Sequence, residues 1–184
     1  YIDIRLPCGG GLDLHFQPLT EDRLPRQALD AINSRQPFAL ELRTEAQPPS
    51  FIPNWHPTGW DAANGIATIG HWPNPRVLIV GHGAVVAKLA EQARAWGAEI
   101  AIITPDKVLA DALRQDGFDA VIIGAPTETR ALSSDAWTAV VFLFHDHDWE
   151  PALIAHALEQ PHFFIGAMGS KRAHAARCEA LRSR

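Results

Sequence analysis

Cysteine is scarce in this chain: Cys8 and Cys178 are the only two among 184 residues. Two thiols so far apart in sequence do not make a disulfide framework, so a reducing compartment is expected. A surplus of positive charge is missing as well. Lysine and arginine number 16 against 21 aspartates and glutamates, a net charge of −5. With no basic stripe either, nucleic acid is not an expected partner. No apolar run is long enough to span a bilayer and no signal-type segment is found, so no membrane partner is expected and a cytoplasmic location is. Internal repeats are lacking. The chain opens on Tyr1 and its one methionine is Met168, so its natural start is expected further upstream.

What is present is a chain 47% hydrophobic and 20% charged, enough to build a packed core in a soluble protein. Residues 1–47 read as a small N-terminal region. Ile2, Ile4 and Leu6 alternate before three glycines and Leu12, Leu14 and Phe16 after them, the pattern of two strands joined by a Cys-Gly-Gly-Gly hairpin. A helix over Glu21–Ser34, interrupted early by Pro25, and a strand at Phe38–Arg43 follow. Residues 48–75 hold Pro48, Pro49, Pro53, Pro57, Pro73 and Pro75 with Trp55, Trp60 and Trp72. This predicts a draped connector without helices or central strands. Residues 76–184 alternate regularly. Apolar runs at Arg76–Val80, Glu99–Ile103, Asp119–Ile123, Ala139–Phe144 and Phe163–Ile165 are separated by helical periods at about 85–96, 107–115 and 150–158. A last helix starts near Ser170. The fold class is therefore α/β: a Rossmann-like parallel sheet with helices on both faces, preceded by a small α+β N-terminal region.

Three strand-to-helix junctions carry candidate chemistry. In "VGHGAVVA", Gly81, His82 and Gly83 begin a dinucleotide-type G-x-G-x-x-G loop. Gly81 suits a tight turn, and Gly83 lets backbone approach a phosphate at a helix N-terminus. The third position is the bulkier Val86. The acidic residue expected after the second strand is replaced by Thr104, with Asp106 two residues on. A ribose diol has no obvious partner there, so NAD(P) is not favoured. In "FHDHDW" (144–149), His145 and Asp146 stand at the carboxyl edge of the sheet. His145 and His147 would share one side of an extended segment. Imidazole and carboxylate suit zinc or iron, but a third ligand is not visible, and crevice residues with Asp146 or Asp148 as helix cap are favoured over a metal site. In "IGAMGSKR" (165–172), Gly166 and Gly169 precede Ser170, a candidate N-cap, and Lys171 and Arg172 add positive charge where free N–H groups suit an anion.

Cys8 stands apart from Cys178, which reads as a small buried hydrophobe in the last helix. Successive glycine N–H groups at Gly9 and Gly10 can form a nest that lowers a neighbouring thiol's pKa, and a thiolate suits soft-ligand or sulfur chemistry.

The segments "LPCGGGLDLHFQPL", "VLIVGHG", "VVFLFHDHD" and "FFIGAMGSKRAHAAR" together resemble the XdhC/CoxI family, accessory proteins of molybdenum hydroxylases such as xanthine dehydrogenase. The resemblance covers nearly the whole chain, and the Cys-Gly-Gly hairpin with the I-G-x-x-G-S-K/R-R loop is its specific part. It implies a cofactor-maturation chaperone rather than a turnover enzyme, with molybdenum cofactor (molybdopterin) as cargo. It also implies a cysteine desulfurase and the hydroxylase's large subunit as partners, and a homodimer. On this resemblance Cys8 is the candidate molybdenum contact, and the phosphate goes to the loop at Gly81–Gly83 or at Gly169–Arg172. The sequence departs from the family where Ala84 replaces a frequent histidine after G-x-G and where Thr104 and Asp106 replace a common D-x-R. Two rival readings are an NAD(P)- or nucleotide-dependent oxidoreductase with His145 as acid–base residue, and a nucleotide-sensing binding module.

Overall fold

A computed structural model describes residues 9, 14–18, 21–44 and 47–182. The chain divides into two compact units, Tyr1–Pro73 and Asn74–Arg184.

In the first unit, helix α1 (Arg23–Asn33) precedes four strands: β1 (Phe38–Arg43), β2 (Ser50–Pro53), β3 (Gly59–Asp61) and β4 (Ile66–His71). Pro25 does not interrupt α1. It is the third helical residue, where a missing N–H has no intrahelical acceptor to lose. The strands form an antiparallel sheet in the order β2-β1-β4-β3, so the expectation that residues 48–75 hold no central strand is corrected. The prolines fall where a sheet tolerates them. Pro53 is the last residue of edge strand β2, and β4, which lies between β1 and β3, contains none. The turn into β4 is closed by Asp61. Its carboxylate accepts from the amides of Ala63 (3.0 Å) and Asn64 (3.2 Å) and from the Asn64 side chain (2.7 Å). These bonds, the side-chain one foremost, hold the Asp61 carboxyl below its ordinary pKa.

The hairpin expected around Cys8 lies largely outside the described residues, as do Cys8 and Gly10 themselves. Gly9 has φ +73°. Leu14–Pro18 are not in a strand, and Leu14 and Phe16 are exposed. Over this stretch the alternation does not mark a half-buried strand.

The second unit runs β5 (Arg76–Gly81), α2 (Ala84–Ala95), β6 (Glu99–Thr104), α3 (Lys107–Gln115), β7 (Asp119–Ile122), β8 (Thr138–Leu143), α4 (Glu150–Glu159), β9 (Phe164–Ala167) and α5 (Lys171–Arg182). Its five strands are parallel in the order β7-β6-β5-β8-β9. Neighbouring residues of β5 point to opposite faces. Val77 and Ile79 pack with Val86 and Ala90 of α2 and Leu113 of α3, whereas Leu78 and Val80 pack with Leu153, Ile154 and Ala157 of α4. Helices thus cover both faces, as the continuous apolar strands require. From β5 the chain moves outward to β6 and β7, then returns to the other side of β5 for β8 and β9. That reversal lies between β5 and β8, whose carboxyl ends flank the switch-point crevice where open α/β sheets bind ligands.

Candidate functional site

The three loops singled out in the sequence follow β5, β8 and β9, three neighbouring strands, so the sheet order brings all three to one edge. Each loop is held by a different set of contacts.

After β5, Gly81 and Gly83 are glycines for different reasons. Gly81 keeps strand geometry rather than forming the turn. A Cβ there would come within 2.4 Å of the Leu143 carbonyl oxygen, so the close approach of β8, and not a special dihedral, demands glycine. That same carbonyl accepts from the His82 amide at 3.3 Å. Gly83 has φ +84° and ψ 177°, a conformation essentially reserved for glycine. It caps α2 without a side chain, and a Cβ there would enter open space. The first turn of α2 therefore presents backbone N–H groups and the positive helix end to an uncovered position. Val86 at the third fingerprint position is fully buried and fills the helix–sheet contact.

After β8 the backbone stays extended only briefly. Residues His147–Trp149 form a 3-10 turn leading into α4, so the two-residue alternation that would place His145 and His147 on one side does not apply. Asp146 closes this turn, its Oδ1 accepting from the Asp148 amide at 3.0 Å, but the N-cap of α4 is Trp149 without a side-chain bond, and not Asp146 or Asp148 as expected. Phe144 is buried and stacks on Trp149, with ring centroids 6.0 Å apart and planes at 7°. The His82 ring lies edge-on to Phe144 at 5.5 Å and to His145 at 6.0 Å. Two histidines from adjacent strand ends thus meet beside the Phe144–Trp149 stack. Among the described residues, no group of three His, Cys, Asp or Glu is placed to hold a metal ion.

After β9 the loop begins later than the motif suggests. Gly166 lies inside the strand beneath the Phe164 ring, not at the loop tip. The Met168 amide donates to the Phe142 carbonyl at 2.9 Å, Gly169 has φ +153°, and the Ser170 hydroxyl accepts from the Ala173 amide at 3.2 Å. Ser170 is therefore the cap of α5 that its position predicts. Lys171 and Arg172 are exposed.

At the end of β6 a threonine stands where a dinucleotide site has its acidic residue. Thr104 is fully buried, and its hydroxyl accepts from the Asp106 amide at 3.1 Å. The Asp106 carboxylate caps α3 by accepting from the Leu109 amide at 3.0 Å.

Sequence reasoning missed one pair. Glu150, the first residue of α4, has no exposed surface, and Arg177 of α5 is buried beside it. The Arg177 Nε donates to Glu150 Oε2 at 2.6 Å and its Nη2 to Oε1 at 2.9 Å. Nη2 also donates to the Met168 carbonyl. The only sequence signals are an acidic residue at a helix start and an arginine on the apolar stripe of the last helix, neither of which names its partner. Cys178 is also corrected. It is half-exposed, with its Sγ 3.6 Å from His174 Nε2 one helical turn away, because the α5 face that carries it is not fully covered.

No helix among the described residues is long and apolar enough to cross a membrane. Residues 77–184 match the XdhC Rossmann domain family. Over 181 residues the chain is 29% identical to the molybdenum cofactor insertion chaperone PaoD of Escherichia coli strain K12, a similarity covering 98% of this chain and 50% of that protein. The chain thus spans about half the length of the curated relative it matches. Among solved structures it resembles a protein of Bacillus halodurans described as a xanthine dehydrogenase, with TM-score 0.65 and 15% identity, covering 85% of this chain and 53% of the other. That likeness is one of fold alone. The family match takes in more than half of the chain and all three loops of the crevice, and by it the chain belongs to the XdhC family.

Proposed function

We propose that this protein binds molybdenum cofactor, supports its sulfuration, and inserts it into a molybdenum hydroxylase of the xanthine dehydrogenase type. The observation that carries this reading is a sheet edge with two uncovered helix starts suited to a phosphate and a buried Thr104 in place of the acidic residue of a dinucleotide site. The helix starts after Gly83 and Ser170 offer N–H groups for a phosphate, with Lys171 and Arg172 beside the second. At the end of β6, Thr104 is buried and Asp106 is committed to a cap. An adenosine ribose would meet Thr104 where a dinucleotide site has its acidic residue, and the nearby Asp106 already holds the start of α3 through Oδ1. The name of the Escherichia coli relative supports the same reading.

In this reading the roles fall as follows. Backbone at Gly81–Gly83, or at Gly169–Ser170 with Lys171 and Arg172, holds the phosphate. His82, His145 and Asp146 line the crevice as hydrogen-bonding groups over the Phe144–Trp149 stack, and Gly166 supports the strand below them. Cys8, with Gly9 and Gly10, contacts the molybdenum–dithiolene end or carries the sulfur. The large subunit of the hydroxylase receives the cargo, a cysteine desulfurase supplies the sulfur, and the working form is a homodimer. The protein is a helper and performs no turnover of its own.

The test is retention followed by transfer. Purified protein is equilibrated separately with molybdopterin species, NAD(H), NADP(H) and AMP, and what stays bound after gel filtration is measured. The loaded protein is then mixed with apo-hydroxylase. Retention of the pterin alone, followed by recovery of hydroxylase activity, is expected. Retention of NAD(P)(H) with hydride transfer would replace this reading with the oxidoreductase one, and retention of AMP alone with a sensing module.

A further inference from the structure

We infer that the buried Glu150–Arg177 pair is the positioning element of the anion loop, fixing the loops after β8 and β9 to one another. This rests on the reading that the crevice takes a phosphorylated ligand. Glu150 directly follows the 3-10 turn that ends the β8 loop, and Arg177 reaches back from the second turn of α5 to the β9 loop. One guanidinium therefore joins both: two of its N–H groups grip the Glu150 carboxylate, and Nη2 also grips the Met168 carbonyl. The next residue is laid directly on this group. A Cβ on Gly169 would lie 3.0 Å from Arg177 Nη2, 3.2 Å from Nη1 and 3.1 Å from the Ala173 Cβ. Glycine at 169 is thus fitted to the guanidinium, and the amides that follow take their direction from it.

Three features make this positioning rather than bulk stability or charge. The fork needs arginine, since a lysine ammonium is a point charge and cannot span carboxylate and carbonyl in one plane. Glu150 neutralises Arg177, so the pair contributes little net charge to an anion at the loop. A buried ion pair is also weak evidence for stability, because apolar residues of similar volume often replace it without loss.

The experiment compares wild type, Glu150→Gln, Arg177→Lys and the double variant Glu150→Leu/Arg177→Met. It measures melting temperature, affinity for molybdopterin and for its dephospho form, and amide hydrogen exchange without ligand. Glu150→Gln leaves an uncompensated buried cation near the site, so a purely electrostatic role predicts tighter binding of the phosphorylated form. Positioning predicts the opposite sign, roughly tenfold weaker binding, equivalent to about 1.4 kcal/mol. Arg177→Lys should behave likewise, while the dephospho form is bound equally by all variants. The double variant should melt close to wild type yet bind the phosphorylated form as weakly as the single variants. In the ligand-free variants, exchange at Gly169, Ser170 and Lys171 should quicken while β5 and β8 stay protected. Wild-type affinity in the double variant, tighter binding by Glu150→Gln, or unchanged exchange at 169–171 would each overturn the inference. If wild type retains no molybdopterin, the functional reading fails, and exchange still decides the positioning role.

Discussion

The sharpest test of the site's architecture is Gly81→Ala. An added Cβ would sit 2.4 Å from the Leu143 oxygen, 2.7 Å from its carbonyl carbon and 2.9 Å from its Cβ. Two of these atoms are backbone, so no side-chain rotation relieves the contact. Strands β5 and β8, paired Gly81 to Leu143, must part at their carboxyl ends. That part of the sheet is fully packed, with Val80, Phe142 and Phe144 buried. Overpacking of this kind costs about 1–3 kcal/mol. For a unit of this size the melting temperature should fall by roughly 4–12 °C. The displaced carbonyl also accepts from the His82 amide, so His82 should lose its place beside Phe144 and His145, visible as shifted histidine ring resonances. Gly83→Ala makes the contrast. It meets no atom, and its cost of about 1–3 kcal/mol is conformational, from φ +84° and ψ 177°. The His82 and His145 resonances should then stay near their wild-type positions while ligand affinity falls, because the new methyl enters the open space at the start of α2. A Gly81→Ala variant that melts with wild type, or that leaves the His82 ring unmoved, would refute the view that the approach of β8 dictates glycine here.

Ser170→Ala removes the cap of α5 and should cost about 1 kcal/mol in thermal melts, with β5 and β8 keeping their amide-exchange protection. Lys171→Ala with Arg172→Ala should weaken molybdopterin binding several-fold and leave the dephospho form unchanged. Because both side chains are exposed, this difference should shrink as salt is raised, and equal losses for both forms would remove these residues from the phosphate site. Cys8→Ser should melt close to wild type yet retain less molybdenum and fail to activate apo-hydroxylase. Iodoacetamide labelling of Cys8 is best read in a Cys178→Ser background, since the half-exposed Cys178 should itself be alkylated. A Cys8 unreactive in folded apo protein, together with a destabilised Cys8→Ser, would return that thiol to a structural role.

How much of this was legible beforehand depends on the range of each interaction. Local chemistry reads directly from local sequence. Apolar runs such as Arg76–Val80 and Ala139–Phe144 read as strands buried on both faces, and Ser170 announced its helix because a cap acts within three residues. The three loops at one edge also followed, since alternating strands and helices force a parallel sheet. Proline misled for residues 48–75. Its rule forbids central strands only at the prolines themselves, and Ile66–His71 lies between them. The sequence by itself thus determined the α/β architecture, the positions of the loops and the cap of α5. Only the tertiary structure decided why Gly81 is glycine, that His82 meets His145, and that Glu150 holds Arg177 across 27 residues. Those facts depend on which strands become neighbours, and in a parallel sheet the neighbours of a strand are chosen by crossovers that no local pattern records.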